Sequence, residues 1–231
     1  MITDKLVFIH MPRTGGSTHR GYIKRLSDDG RLKVLGDFGE RCARALPQKY
    51  QHLPKIGFVR NPWAWYVSRY HWFLNKRFVQ NNLNPDGQMT RGLDAGIFNA
   101  KTKEDVPSFK SHMMNGFNMD TSLPQWPRKF SGDWPGHPYF SMTGCYFDMY
   151  FNQYGKLYLD SIYRLEDKEI HEELYIQRGV DIGEIRFADE FISKRSEHKP
   201  YQEYYDEELR EKVKKVDTRL IEKFSYKFIE L

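Results

Sequence analysis

Leu6-Val7-Phe8-Ile9-His10-Met11-Pro12-Arg13-Thr14-Gly15-Gly16-Ser17-Thr18 is the stretch from which the fold is read. Its first four residues are an apolar run rich in β-formers, too short for a helix, and predict a buried strand. The chain then passes through a proline, two glycines and three hydroxyl residues into Ser17–Leu26, which predicts a helix. A strand, a glycine turn and a helix N-terminus together make an anion site. The glycines let the backbone curl, and the first N–H groups of the helix point outward along a dipole that favours negative charge. Arg13 adds a planar fork of charged donors, and Thr14, Ser17 and Thr18 add hydroxyls. Such a loop is suited to a phosphate or a sulfate. It is not the ATP/GTP pattern G-x-x-x-x-G-K-[ST], because Ser17 stands where that pattern requires lysine after its second glycine.

Working outward, Leu32–Leu35 predicts a second strand, Phe38–Leu46 a short helix closed by Pro47, and Lys55–Val59 a third strand. Pro62 suits the first position of a helix running to about residue 78. Strand–helix alternation of this kind predicts an α/β fold with a mostly parallel sheet, with ligands at the carboxyl ends of the strands. Arg60 stands at such an end, and Ser68 lies about two helical turns further on, so both can reach one anion at the sheet edge. Tyr158–Leu165 predicts another strand, followed by a helix to about Arg178 that Gly179 ends. From Asp206 a final helix carries Leu209, Val213, Val216, Leu220 and Phe224 as one apolar stripe.

Composition fits one domain. The 231 residues are enough for a proper core, and 36 Lys+Arg against 31 Asp+Glu is a mild basic excess, suited to anionic ligands but too dispersed for nucleic acid. Cys42 and Cys145 are too few and too far apart for a disulfide framework or a cysteine zinc site, and they point to a reducing compartment. No signal peptide or membrane span is visible, which leads to the expectation of a cytoplasmic protein without a membrane partner.

The first loop resembles the 5′-phosphosulfate loop of sulfotransferases. In the carbohydrate-type members it follows an apolar strand as Pro-Lys-Thr-Gly-Gly-Thr-Ser. Pro12, Thr14, Gly15, Gly16, Ser17 and Thr18 match it, and Arg13 replaces the usual lysine. Arg60-Asn61-Pro62 with Ser68 resembles the family segment that holds the nucleotide's 3′-phosphate, at the same spacing of eight. Ile162-Tyr163-Arg164-Leu165-Glu166-Asp167 resembles the family's last core strand, with Arg164 either structural or a cofactor residue. Lys194, Arg195 and Ser196 match a segment that closes over the 3′-phosphate, and are otherwise a solvated basic loop. The tail Phe224–Phe228 resembles that of bacterial-type members.

This resemblance implies a P-loop-like three-layer sandwich and a single sulfotransferase domain over 1–231, with about 80–155 a divergent, acceptor-binding insertion. Within that insertion, 80–103 predicts a long surface loop and Pro107–Met114 a helix carrying His112. Trp126 and Trp134 are either a platform for a flat acceptor or filling beneath a loop. The implied cofactor is 3′-phosphoadenosine-5′-phosphosulfate, the implied acceptor a saccharide or other small molecule, and no metal is required. The family places its general base just after the second strand, where this chain has no histidine. Asp37 is therefore the first candidate, Glu40 the second, and His71 and His112 follow, each of the two histidines being otherwise a packed or surface residue. His10 is expected to be buried against the sheet. A P-loop small-molecule kinase and a catalytically silent nucleotide-binding module remain the alternatives, and the oligomeric state is open.

Overall fold

Alternation of side chains along an extended chain sends Leu6 and Phe8 to one side of a sheet and Val7 and Ile9 to the other, and all four are fully buried. A strand apolar on both faces belongs inside an α/β layer, and the computed structural model places it there. The structure describes residues 1–75, 106–119, 141–151, 155–188 and 198–230. In chain order the elements are β1 (Ile2–Thr3), β2 (Val7–Ile9), α1 (Gly16–Asp28), β3 (Val34–Gly36), β4 (Lys55–Val59), α2 (Pro62–Leu74), α3 (Phe109–Met119), α4 (Met142–Tyr150), β5 (Ser161–Arg164), α5 (Ile170–Ile176), α6 (Glu207–Val216) and α7 (Thr218–Phe224). The contacts divide the chain into two compact units. Among the described residues the first holds 1–60, 146–151 and 155–188, and the second 61–75, 106–119, 141–145 and 198–230.

The first unit carries a five-stranded sheet in the order β3-β1-β2-β4-β5. Strands β2, β4 and β5 are parallel neighbours, whereas β1 runs antiparallel between β2 and β3. The expected parallel sheet is thus present with one addition, the antiparallel β1. Its turn is tied by Thr3, whose hydroxyl donates to the Leu6 carbonyl at 2.8 Å and accepts from the Leu6 N–H at 2.9 Å. Two residues are too few to show periodicity, so sequence pattern cannot announce such a strand. Because β3, β2, β4 and β5 all run the same way, Gly36, Ile9, Val59 and Arg164 end at one edge.

One face of this sheet is covered by α1 and α5. Leu6 and Phe8 from β2 with its approach, and Ile56 and Phe58 from β4, form one core with Tyr22, Ile23 and Leu26 of α1 and Leu174 and Tyr175 of α5. Each such side chain contributes about 1.5–3 kcal/mol through burial. On α4, the Tyr150 hydroxyl donates to the Phe58 carbonyl at 2.8 Å and accepts from its N–H at 3.1 Å. Where a helix over Phe38–Leu46 is expected, the chain instead makes short 3₁₀ turns at Ala43–Ala45 and Gln48–Tyr50. Cys42 is extended there, at φ −63° and ψ 145°. Both cysteines are free, and the buried Cys42 thiol faces the Asp148 carboxylate at 3.6 Å.

In the second unit, Asn61 caps α2 by accepting the Ala64 N–H, and Pro62 occupies the first helical position as expected. The single final helix that the stripe predicts is instead two, α6 and α7, parted at Asp217. Its carboxylate, fully buried, accepts the Tyr66 hydroxyl at 2.7 Å and the Thr143 N–H at 2.7 Å. A carboxylate that must meet those donors fixes the break. Leu209, Val213 and Leu220 of the stripe are buried, while Val216 and Phe224 are half-buried. Among the described residues no helix is long and apolar enough to cross a membrane.

Two histidines lie in the first unit's core among Phe8, Phe58 and Phe187. His171 Nε2 is 2.9 Å from the Leu165 carbonyl, which can only accept, so that nitrogen carries the proton. His171 Nδ1 therefore accepts from His19 Nε2 at 3.2 Å, and His19 Nδ1 accepts from the Tyr175 hydroxyl at 3.3 Å. Such a chain works only with both rings neutral. Burial pushes His19 well below the usual histidine range, with His171 and His10 adding to it. Burial also lowers His171, against the Leu165 carbonyl and nearby Asp167, Glu169 and Glu172. A histidine with a depressed folded-state pKa binds more protons unfolded than folded once the pH drops below about 6.5, so stability is lost as pH falls through that value. Denaturant unfolding at stepped pH is expected to show a loss of up to ~1.4 kcal/mol per pH unit for each of these rings below that point. A midpoint that ignores pH across this window would contradict the neutral pair.

Candidate functional site

At the edge where the parallel strands end, the chain leaving β2 makes a tight reversal before α1. Arg13 and Gly15 both take positive φ, 65° and 80°. For a residue with a Cβ this costs of order 1–3 kcal/mol, and such strain gathers at functional sites. Gly15 is then the N-cap of α1, and the first intrahelical bond runs from the His19 N–H to the Gly15 carbonyl at 3.0 Å. The N–H groups of Gly16, Ser17 and Thr18 precede that bond, and the first turn holds no acidic residue. Gly16 is required by close approach, since a Cβ there would lie 1.7 Å from the His10 ring.

The hydroxyls divide their labour. Thr14 is fully buried, and its hydroxyl donates to the Met11 carbonyl at 2.8 Å, bracing the turn. Thr18 is buried and Ser17 is exposed.

Charge converges on this turn. Arg60, one residue beyond β4, donates from Nη1 to the Arg13 carbonyl at 3.4 Å. Burial, then the Arg60 guanidinium, lower Arg13 to about 10 while Glu40 opposes them. Arg13 is thus still cationic at neutral pH. Two guanidiniums at the ends of adjacent strands repel one another, and an anion between them and the helix N-terminus relieves that repulsion. Past β3, burial pushes the half-buried Glu40 carboxyl above its usual range, against the pull of Arg13 and Arg20. Its Oε1 lies 3.6 Å from His10 Nδ1.

Among the candidate bases, Asp37 and Glu40 part company here. Asp37 pairs with Arg20 at 2.5 Å and accepts the Gly39 N–H at 2.9 Å. Burial works to raise its pKa, but Gly39 and Arg20 outweigh it and hold the carboxyl below the usual range. An ion-paired carboxylate with depressed basicity is a poor proton acceptor. Glu40 has the opposite character. His71 and His112 belong to the second unit, where His71 stacks on His198 and is lowered to about 4 by burial and that ring, and His112 is buried. Ser68 also belongs to that unit and is fully buried in α2. Arg164 ends β5 with its Nε 3.5 Å from Asp167. Lys194, Arg195 and Ser196, the 80–103 loop, Trp126 and Trp134 lie outside the described residues.

His10 is the residue whose place in the site pattern reading misses. It is buried, as expected, but against the first turn of α1 and beside Glu40, and burial together with the amino terminus, Arg20 and Arg13 lowers it to about 3 against Asp37. Among the described residues no three His, Cys, Asp or Glu side chains form a metal-ligand group. Compared with protein-family models, with curated proteins and with solved structures, the chain matches none.

Gly16→Ala is expected to displace His10 and cost ~1–3 kcal/mol in denaturant unfolding, as overpacking of a filled site does. Ser17→Ala, on the exposed side of the same turn, is expected within about 0.5 kcal/mol of wild type. Equal effects of the two would contradict the close packing of His10 beneath the turn.

Proposed function

We propose that the chain is a sulfotransferase moving a sulfuryl group from 3′-phosphoadenosine-5′-phosphosulfate to a hydroxyl or amine of a saccharide or other small molecule, on a P-loop-like three-layer sandwich. The observation that carries this is the cationic cradle: Arg13 and Arg60 brought together beside a first turn of α1 that holds no acidic residue. The resemblance of Pro12–Thr18 to the phosphosulfate loop supplies the choice of sulfuryl over other oxyanions, and the missing lysine after Gly16 disfavours a nucleoside triphosphate.

Sulfuryl transfer is an in-line displacement in which positioning and charge stabilisation do most of the catalysis, as in phosphoryl transfer. The N–H groups of Gly16, Ser17 and Thr18 and the Arg13 guanidinium receive the negative charge that grows on the leaving 5′-phosphate oxygen. As the acceptor oxygen–sulfur bond forms, the sulfur–oxygen bond to the nucleotide breaks and its electron pair leaves with the bisphosphate. The acceptor's proton passes to Glu40, whose raised basicity and half-burial suit a general base. Arg60 holds the 3′-phosphate side of the nucleotide, as its motif implies.

The test is transfer of labelled sulfate from the phosphosulfate nucleotide to a panel of hydroxylated and amine acceptors, with ATP and Mg²⁺ as the competing donor. Transfer from the former alone is expected, and phosphate transfer from ATP would overturn the reading. Arg60→Ala is expected to weaken adenosine 3′,5′-bisphosphate about tenfold or more, as loss of a charge-assisted contact does, and adenosine 5′-phosphate far less. Arg13→Ala is expected to lower turnover by roughly a hundredfold, and Arg13→Lys to retain it. Equal losses for both nucleotides in Arg60→Ala would break its assignment.

A further inference from the structure

One polar atom in the cradle stands unused. His10 has a side chain 7% exposed, and its Nδ1 has no hydrogen-bond partner. A buried polar atom without a partner costs free energy, so it calls for an occupant. The nearest carboxylate oxygen, Glu40 Oε1, stops at 3.6 Å, beyond the ordinary hydrogen-bond range. The ring cannot close the gap, because its Cδ2–Nε2 edge is seated against Gly16. Glu40 can, because its side chain is 34% exposed and sits on a turn rather than in a strand or helix.

We propose that His10 is a positioning residue for Glu40: when an oxyanion occupies the cradle, the Glu40 carboxylate closes onto His10 Nδ1 and is held beside the bound anion, aimed at the attacking group. Without a ligand, Arg13 and Arg20 attract Glu40. An oxyanion that engages Arg13 takes up part of that attraction and repels the carboxylate, and the unpartnered Nδ1 lies within its reach. The neutral imidazole then donates its Nδ1–H to one carboxylate oxygen and leaves the other to take the acceptor's proton. Around His10 the charged and titratable groups are the Met1 amine, Arg13, Arg20, Asp37, Glu40 and His19, and around Glu40 they are His10, Arg13 and Arg20. Burial itself lowers the Met1 amine to about 5. The inference rests on the cradle as an oxyanion site and not on the identity of the nucleotide.

Nitrogen NMR of the imidazoles in the full chain tests it, with sodium sulfate as the probe and sodium chloride at equal ionic strength as the control. The readout is taken at neutral pH, where the His10 ring is neutral. Sulfate is expected to place the ring proton on Nδ1 and to shift the His10 nitrogen signals, while chloride leaves them unchanged. Glu40→Gln is expected to abolish the Nδ1 response while the Gly16–Thr18 amides still move. His10→Asn, which keeps a donor near the Nδ1 position, is expected to retain more turnover than His10→Phe. His10 signals that ignore sulfate while the loop amides respond, or that respond alike in Glu40→Gln, would overturn the proposal. Loop amides that ignore sulfate would remove the cradle and this role together. Sulfate binding without adenosine 3′,5′-bisphosphate binding would reject the nucleotide and leave the His10–Glu40 pair standing.

Discussion

The sheet edge is organised by one backbone constraint, the reversal between β2 and α1 in which Arg13 and Gly15 both adopt positive φ. That turn brings the Arg13 carbonyl within reach of Arg60. It also seats Gly16 on the His10 ring. A glycine at position 15 relieves one of the two strained residues, whereas Arg13 bears its strain outright. The bond from Thr14 to Met11 and the packing of Leu165 beside Gly15 hold the turn against relaxation. The dipole of a helix N-terminus and guanidinium charge carry the same sign at this turn.

Beneath the turn the core is polar in a controlled way. His19 and His171 pass one hydrogen-bond direction from Tyr175 to the Leu165 carbonyl, and Leu165 directly follows β5 and touches Gly15. The neutral chain therefore links the helix behind the cradle to the strand beside it. Satisfied networks of this kind specify one arrangement more sharply than apolar packing alone. In the second unit Asp217 has the equivalent part, collecting Tyr66 and Thr143 at the junction of α6 and α7.

What was legible in the sequence was local. β4 occupies the predicted Lys55–Val59, and α2 starts at Pro62, because an apolar β-rich run and a proline at N1 act within a few residues. The strand–turn–helix from Leu6 into α1 was legible for the same reason. What was hidden depends on partners distant in sequence. β1 exists by pairing with β2 and β3, the break at Asp217 by meeting Tyr66 and Thr143, and the missing helix after Asp37 by turns that Asp37 and Gly39 close. The base candidates show the same limit. Spacing ranks Asp37 before Glu40, but Arg20 engages Asp37, and only the sheet order brings Glu40 to His10. His10 itself carries no motif, and its place beneath the turn depends on the missing Cβ of Gly16.

The central claim is that the cradle at Arg13 and Arg60 serves a 3′-phosphorylated sulfuryl carrier, and calorimetric titration of the purified chain tests it most directly. Adenosine 3′,5′-bisphosphate is expected to bind tightly without added metal, and ATP with Mg²⁺ to bind weakly or not at all. Preference for ATP with Mg²⁺ would contradict the claim and bring the kinase reading forward in its place.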